Sequence, residues 1–121
     1  HHQPAVGHTM KRTASAAASQ YLLRPDETEL RGRWQLVDGE VRGDATTRRI
    51  EWLLGHHLTR IADRPSAGGW VTLYLDPTDG RHWERDFPDS ELHGGGPPRL
   101  RALSAVEVAR GYPGMMATID R

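Results

Sequence analysis

Asp76, Asp79, His82, Glu84, Asp86 and His93 form the densest run of chemistry-bearing side chains in the sequence. Carboxylates and imidazoles at such spacing could hold a hard divalent cation, or trade protons with a substrate as general acid and base. A small metal-dependent hydrolase built on Asp76, Asp79, His82 and His93 is the enzymatic reading. The simpler reading assigns Asp76 and Asp79 to a turn, where aspartate side chains bond their own backbone. It places His82, Glu84 and Asp86 on the solvent face of an edge hairpin, alternating with Trp83.

Other catalytic signals are weaker. His93-Gly94-Gly95-Gly96 has the pattern of an esterase oxyanion loop, but no Gly-x-Ser-x-Gly nucleophile elbow accompanies it. Ser66, Ser90 and Ser104 have no motif around them, and no phosphate-cradling glycine loop occurs. The absence of cysteine excludes disulfides, thiolate zinc sites and cysteine nucleophiles. No catalytic residue, metal ligand or cofactor is therefore assigned. His1, His2 and His8 fall in a stretch, His1 to Thr9, that reads as a purification-tag remnant before Met10, and they are set aside.

Charge narrows the partner. The 16 Lys and Arg balance 16 Asp and Glu, so no net field draws the chain to nucleic acid or an anionic membrane. Lys11 is the single lysine. Arg48, Arg49, Arg60 and Arg64 could form a basic strip, but Glu51 and Asp63 dilute it, and a solvated helix face is expected. No apolar run approaches the roughly 18 residues needed to span a bilayer, and no signal-peptide core precedes the domain. With cysteine absent, a cytoplasmic location is expected. A peptide- or nucleic-acid-binding module remains the other non-enzymatic alternative.

At 121 residues the chain is one domain by size. It divides into a tag remnant and flexible lead-in over 1–20, a domain over 21–112 and a tail over 113–121. Arg33–Val37 and Glu40–Arg42 flank Asp38-Gly39, a strand–turn–strand pattern. Asp44 can cap a helix in which Ile50, Leu53, Leu54, His57, Leu58 and Ile61 recur at helical spacing. Gly55 leaves two continuations open: more helix, or a strand over Leu58–Ala62. His57, on the stripe, reads as a half-buried, satisfied histidine. Trp52, off the stripe, either stands exposed as a binding anchor or packs under the hairpin.

Trp70–Leu75 and Arg81–Phe87 read as strands joined at Asp76-Pro77-Thr78-Asp79-Gly80, a half-buried antiparallel ladder. The glycines and prolines of His93–Pro98 forbid helix or central strand, and the glycine run could lie flat against a partner or a neighbouring loop. Leu100–Leu103 suggests a last strand. Ser104 caps a short helix through Arg110, with Glu107 at the capping-box position, and the chain from Tyr112 onward is expected to be loosely held. The pieces predict an α+β fold: an antiparallel β-sheet with a central hairpin packed against one main helix, plus a short C-terminal helix.

The order of these pieces carries a resemblance. Leu23-Arg24-Pro25-Asp26-Glu27-Thr28-Glu29-Leu30-x-Gly32-x-Trp34 comes first, followed by Arg49-Ile50-Glu51-Trp52-Leu53. Then come Gly69-Trp70-x-x-Leu73-Tyr74-x-Asp76-Pro77-x-Asp79-Gly80-Arg81-x-Trp83-Glu84 and Pro88-x-Ser90-Glu91-Leu92-His93-Gly94-Gly95-Gly96-Pro97-Pro98-x-Leu100. From about Leu22 to Tyr112 the chain resembles immunity protein family 27 of bacterial polymorphic toxin systems. It departs at Arg85-Asp86, where the family pattern is less charged. The resemblance implies a non-enzymatic protein that binds a cognate toxin encoded by a neighbouring gene, a nuclease being one candidate. It assigns no residue a role, so the contact candidates come from the residues themselves: Asp76, Asp79, Trp83, Glu84, Asp86, Glu91 and His93. Acidic groups would complement the cationic cleft of a nuclease. Trp83 belongs here only if it is not core.

Overall fold

A computed structural model describes residues 19–89 and 96–114. In chain order these form β1 (Glu29–Arg31), β2 (Trp34–Val37), β3 (Glu40–Gly43), α1 (Ala45–His56) and β4 (Thr59–Asp63). A 3-10 turn (Gly68–Trp70) leads to β5 (Thr72–Leu75), β6 (His82–Asp86), β7 (Arg99–Leu103) and α2 (Ala105–Gly111). The expected tag remnant and most of the lead-in, residues 90–95 and the tail from residue 115 lie outside the described residues.

Antiparallel pairing joins five strands in the order β1-β7-β6-β5-β4, and β2-β3 form a separate ribbon. The β5–β6 hairpin is therefore internal, with β6 in the middle and β4 and β7 as its outer neighbours. On one face Leu30, Tyr74, Trp83 and Leu100 meet Ile50 and Leu53 of α1, with Leu23 and Leu58 closing the ends. On the other face Leu73 meets Val108 of α2 and Tyr112 just beyond it. Each large side chain so buried is worth about 1.5–3 kcal/mol. The α+β prediction holds, with each helix covering one face of the sheet.

Several boundaries differ from the sequence reading. Thr72, Leu73 and Tyr74 are all buried, so β5 is covered on both faces and is not half of an exposed ladder. The second helix supplies the extra cover. Trp70 belongs to the 3-10 turn, 60% exposed, and its ring meets Phe87 edge-on at 5.8 Å. The main helix ends at His56, and the strand alternative beyond Gly55 is realised as β4. Ile61 thus leaves the helical stripe and packs in the second core. Tyr112 is 1% exposed and firmly held. β1 was not anticipated: three residues are too few to show a period.

Local chemistry sets the helix starts. The Asp44 carboxylate accepts from the Thr47 amide at 2.8 Å and also from Arg33 N at 3.2 Å, while Asp44 N donates to Arg33 O at 2.9 Å. The buried Thr47 hydroxyl completes the clamp between β2 and α1 by accepting from Arg33 N at 3.1 Å. Gly32 makes room for that hydroxyl and Gly43 for the Thr47 methyl: a Cβ would stand 2.3 Å from the first or 2.6 Å from the second. Ser104 and Glu107 form the expected capping box at α2.

Before β1 the chain is tied to α1 by a bidentate ion pair. Arg49 on α1 bonds both oxygens of Glu27 at 2.7 and 2.8 Å and donates to the Tyr21 and Leu22 carbonyls. The hydrogen-bonded guanidinium of Arg49 is the main reason the Glu27 carboxyl is held down at about 2, from an ordinary 4.5, although burial works the other way. A depressed carboxyl stabilises the fold above its unfolded value, and that contribution is lost as pH falls toward 2. Glu27→Gln should therefore lower stability by on the order of 2 kcal/mol at neutral pH, less solvent screening, with the gap to wild type closing between about pH 4.5 and 2. Urea melts across that range check both the size and the sign.

Candidate toxin-binding surface

The residues singled out in sequence do not share one environment. Asp76 is fully buried at the start of the β5–β6 turn. Its Oδ1 accepts from the Thr78 amide at 2.9 Å and the Thr78 hydroxyl at 2.6 Å, and His57 Nε2 lies 3.0 Å away. Burial pushes this carboxyl up, but the Thr78 and His57 contacts together outweigh it and hold the group below the usual aspartate range. The imidazole partner is His57, at the C-terminal cap of α1, and not His82. Burial alone lowers the basicity of His82. Among the described residues, no three His, Asp or Glu side chains gather as a metal site.

Asp79 sits out at the turn, where it accepts from Arg81 N at 3.0 Å and pairs with Arg81 Nε at 2.7 Å. Arg81 reaches on to the Glu27 and Arg24 carbonyls, and its guanidinium lies 4.8 Å over the Trp83 ring. Trp83 itself is core, with no exposed surface.

Glu84 was expected on a solvent face and is instead 2% exposed. The Tyr112 hydroxyl donates to its Oε2 at 2.9 Å, Arg101 donates to Oε1 at 3.2 Å, and Arg64 stands 3.5 Å away. Strand alternation does put Glu84 opposite Trp83, as read from sequence, but α2 roofs that side too. Burial and the adjacent carboxylate raise the Tyr112 phenol well above its ordinary value, so it stays a proton donor. Asp86 is gripped by both arms of Arg99. Glu91 and His93 lie outside the described residues.

What reaches solvent on this face is a set of paired charges. Arg99 lies across from both Asp86 and Arg31, and Arg101 across from both Glu84 and Glu29. Arg31 bonds Asp89 at 3.0 Å, and Arg101 extends to Glu107 at 3.2 Å. The acidic contact face expected from sequence is thus corrected to one of mixed sign, with Arg99 between a like charge at Arg31 and an unlike one at Asp86. Beside α2 a cleft of about 130 Å³ is lined by Arg64, Glu84, Arg101, Leu103, Glu107 and Arg110. It is smaller than the roughly 300–1,000 Å³ of a small-molecule site, and it could take a single side chain of a partner.

Sequence reasoning missed Tyr112, Arg64 and Arg101 because their roles arise between elements distant in the chain. The four arginines form no basic strip, as the diluting carboxylates implied: Arg48 donates to Gly43 O, Arg49 to Glu27, Arg60 to Asp63, and Arg64 faces Glu84. His57 is half-buried and satisfied, as expected. Trp52 is packed rather than free, stacking on Tyr21 at 5.3 Å and bordering the first core. Of the glycine run only Gly96 is among the described residues: it has φ 69°, and a Cβ there would stand 2.5 Å from Asp89 O, within the same β6–β7 connection.

These environments predict an order of stability effects. Glu84→Ala strands Arg101, Arg64 and the Tyr112 hydroxyl and should cost roughly 3 kcal/mol, whereas Asp79→Ala should cost under about 1 kcal/mol. Chemical denaturation of the two variants checks the ranking, and equal costs would contradict the buried placement of Glu84.

No curated protein and no solved structure matches the chain. Among the described residues no helix is long and apolar enough to cross a membrane. A family profile does match: Immunity protein 27, over residues 36–104. That span is more than half of the chain and runs from β2 through β7 to the Ser104 cap. The chain belongs to the Immunity protein 27 family.

Proposed function

We propose that this immunity protein neutralises a cognate toxin, encoded by a neighbouring gene, by stoichiometric binding, with no reaction of its own. Family membership is the observation that carries this reading. The site geometry supports it. Carboxylates that could have done acid–base work are engaged: Asp76 through its Oδ1 by Thr78 and His57, Glu84 by Tyr112 and two arginines, and Asp86 by Arg99. A sheet held this way can offer a preformed surface, and preformed surfaces lose little conformational entropy on binding.

Of the acidic and aromatic candidates, Asp79 and Asp86 retain surface for contact, and Glu91 and His93 stay candidates on their sequence position. Asp76, Glu84 and Trp83 act from within, by holding the hairpin that carries the others. The mixed charges suit a polar rim that selects partner and register more than it supplies affinity. A complex of standard size would bury about 800 Å² on each side. Because Asp79 also caps the turn, Asp79→Asn removes its charge while keeping a carbonyl oxygen.

Co-expression with the adjacent toxin gene in a naive host should restore growth and give a one-to-one complex on pull-down. A harmless neighbour, or killing unaffected by this chain, overturns the reading. Combining Asp79→Asn with Asp86→Asn should slow association several-fold at low salt, an effect that fades as salt rises. Stopped-flow binding at two ionic strengths measures this.

A further inference from the structure

The β2–β3 ribbon stands outside the five-stranded sheet, and among the described residues it carries three of the five exposed large apolar side chains. Leu36 is 73% exposed, Val41 68% and Trp34 43%. Leu36 lies directly across from Val41, and Trp34 is two residues along from Leu36, so the three share one face. Single exposed apolar residues need no explanation, but an apolar face on a ribbon with open edges does. The ribbon is fixed at its base by the Asp44 and Thr47 clamp.

The outer edge of β3 supplies a second, independent observation. Asp38 and Gly39, at φ 51° and 80°, form a two-residue turn closed by Val37 and Glu40. The alternation of an antiparallel ladder then turns the N–H and C=O of Val41 off the free edge. Glu40 and Arg42 flank Val41 on the opposite face and pair with each other at 3.2 Å. Lay a second β3 antiparallel on this edge, centred on Val41. The valines exchange backbone hydrogen bonds, and each Glu40 falls opposite the other chain's Arg42. The strand is complementary to itself in charge and in hydrogen bonding. The apolar faces then join in one row, Leu36 and Val41 of one chain continuing into Val41 and Leu36 of the other.

We infer that the chain self-associates through β3 into a two-fold dimer, closing a four-stranded antiparallel ribbon over that apolar row. The occupant is a second copy because β3 itself carries acid and base on either side of a central apolar residue, the order that answers its own charges when the strand is reversed. A three-residue ladder buries less than the roughly 800 Å² per partner of a standard interface, so the dimer is weak, with Kd in the range of about 10–100 µM. This inference stands apart from toxin binding and does not rest on it.

Sedimentation of the full chain from about 5 to 500 µM should show reversible dimerisation in that range. Glu40→Arg alone, and Arg42→Glu alone, set like charges opposite and should each weaken it at least about tenfold. The double variant Glu40→Arg/Arg42→Glu should recover it, and an equimolar mixture of the two single variants should form heterodimers. Val41→Pro removes the outward donor and should leave monomer with an unchanged far-ultraviolet circular dichroism spectrum. A wild type that stays monomeric throughout overturns the inference, even where the toxin proves to use the ribbon. So does a dimer indifferent to these substitutions, or a charge swap that fails to restore it.

Discussion

A carboxylate buried at the middle of the sheet organises this fold. Glu84 lies on the central strand back to back with Trp83, and both are covered. An ionised carboxylate out of water is costly unless its oxygens are matched by donors. Here the donors come from three separate places: Arg64 after β4, Arg101 on β7 and Tyr112 at the end of α2. Satisfying one charge therefore requires the strands to be in register and the C-terminal helix to be docked. The same helix buries Leu73 through Val108, so the polar and apolar demands on that face are met by one arrangement.

Arginine does the corresponding work around the edges. Arg49 and Arg81 reach from the folded body to four carbonyls between Tyr21 and Glu27, and Arg85 reaches the carbonyl of Gly69. A planar guanidinium with five donors can bond a carboxylate and a carbonyl at once, which an ammonium on a flexible stem does less well. A chain whose basic residues are nearly all arginine can thus fasten irregular segments without a larger core. The cost is that little net charge is left free on the sheet, and what shows at its surface is pattern rather than sign.

Two surfaces of different character result. The sheet face by α2 is polar, paired and backed by a buried network. The β2–β3 ribbon is apolar on one side, open at its edge and attached through a clamp of side-chain and backbone bonds at its base. The first surface has the support that a rigid recognition face needs. Self-association asks only for a strand complementary to itself, and β3 is short enough to be so without joining the main sheet.

Local chemistry was legible in the residues. The Asp44 cap, the Ser104–Glu107 box, the Asp38-Gly39 and Asp76–Gly80 turns and the α+β class all follow from side chains acting within a few positions of themselves, and each is found. The order of motifs pointed to the family. Which face of the hairpin would be dry was not legible, because alternation separates two faces without saying how many helices will cover them. Glu84 and Asp86 look alike in sequence, yet one is sealed beneath Tyr112 and the other pairs with Arg99 nearer solvent. Only the tertiary structure decides that difference, since burial is a property of what packs above a residue, and here the packing partner lies 28 positions away.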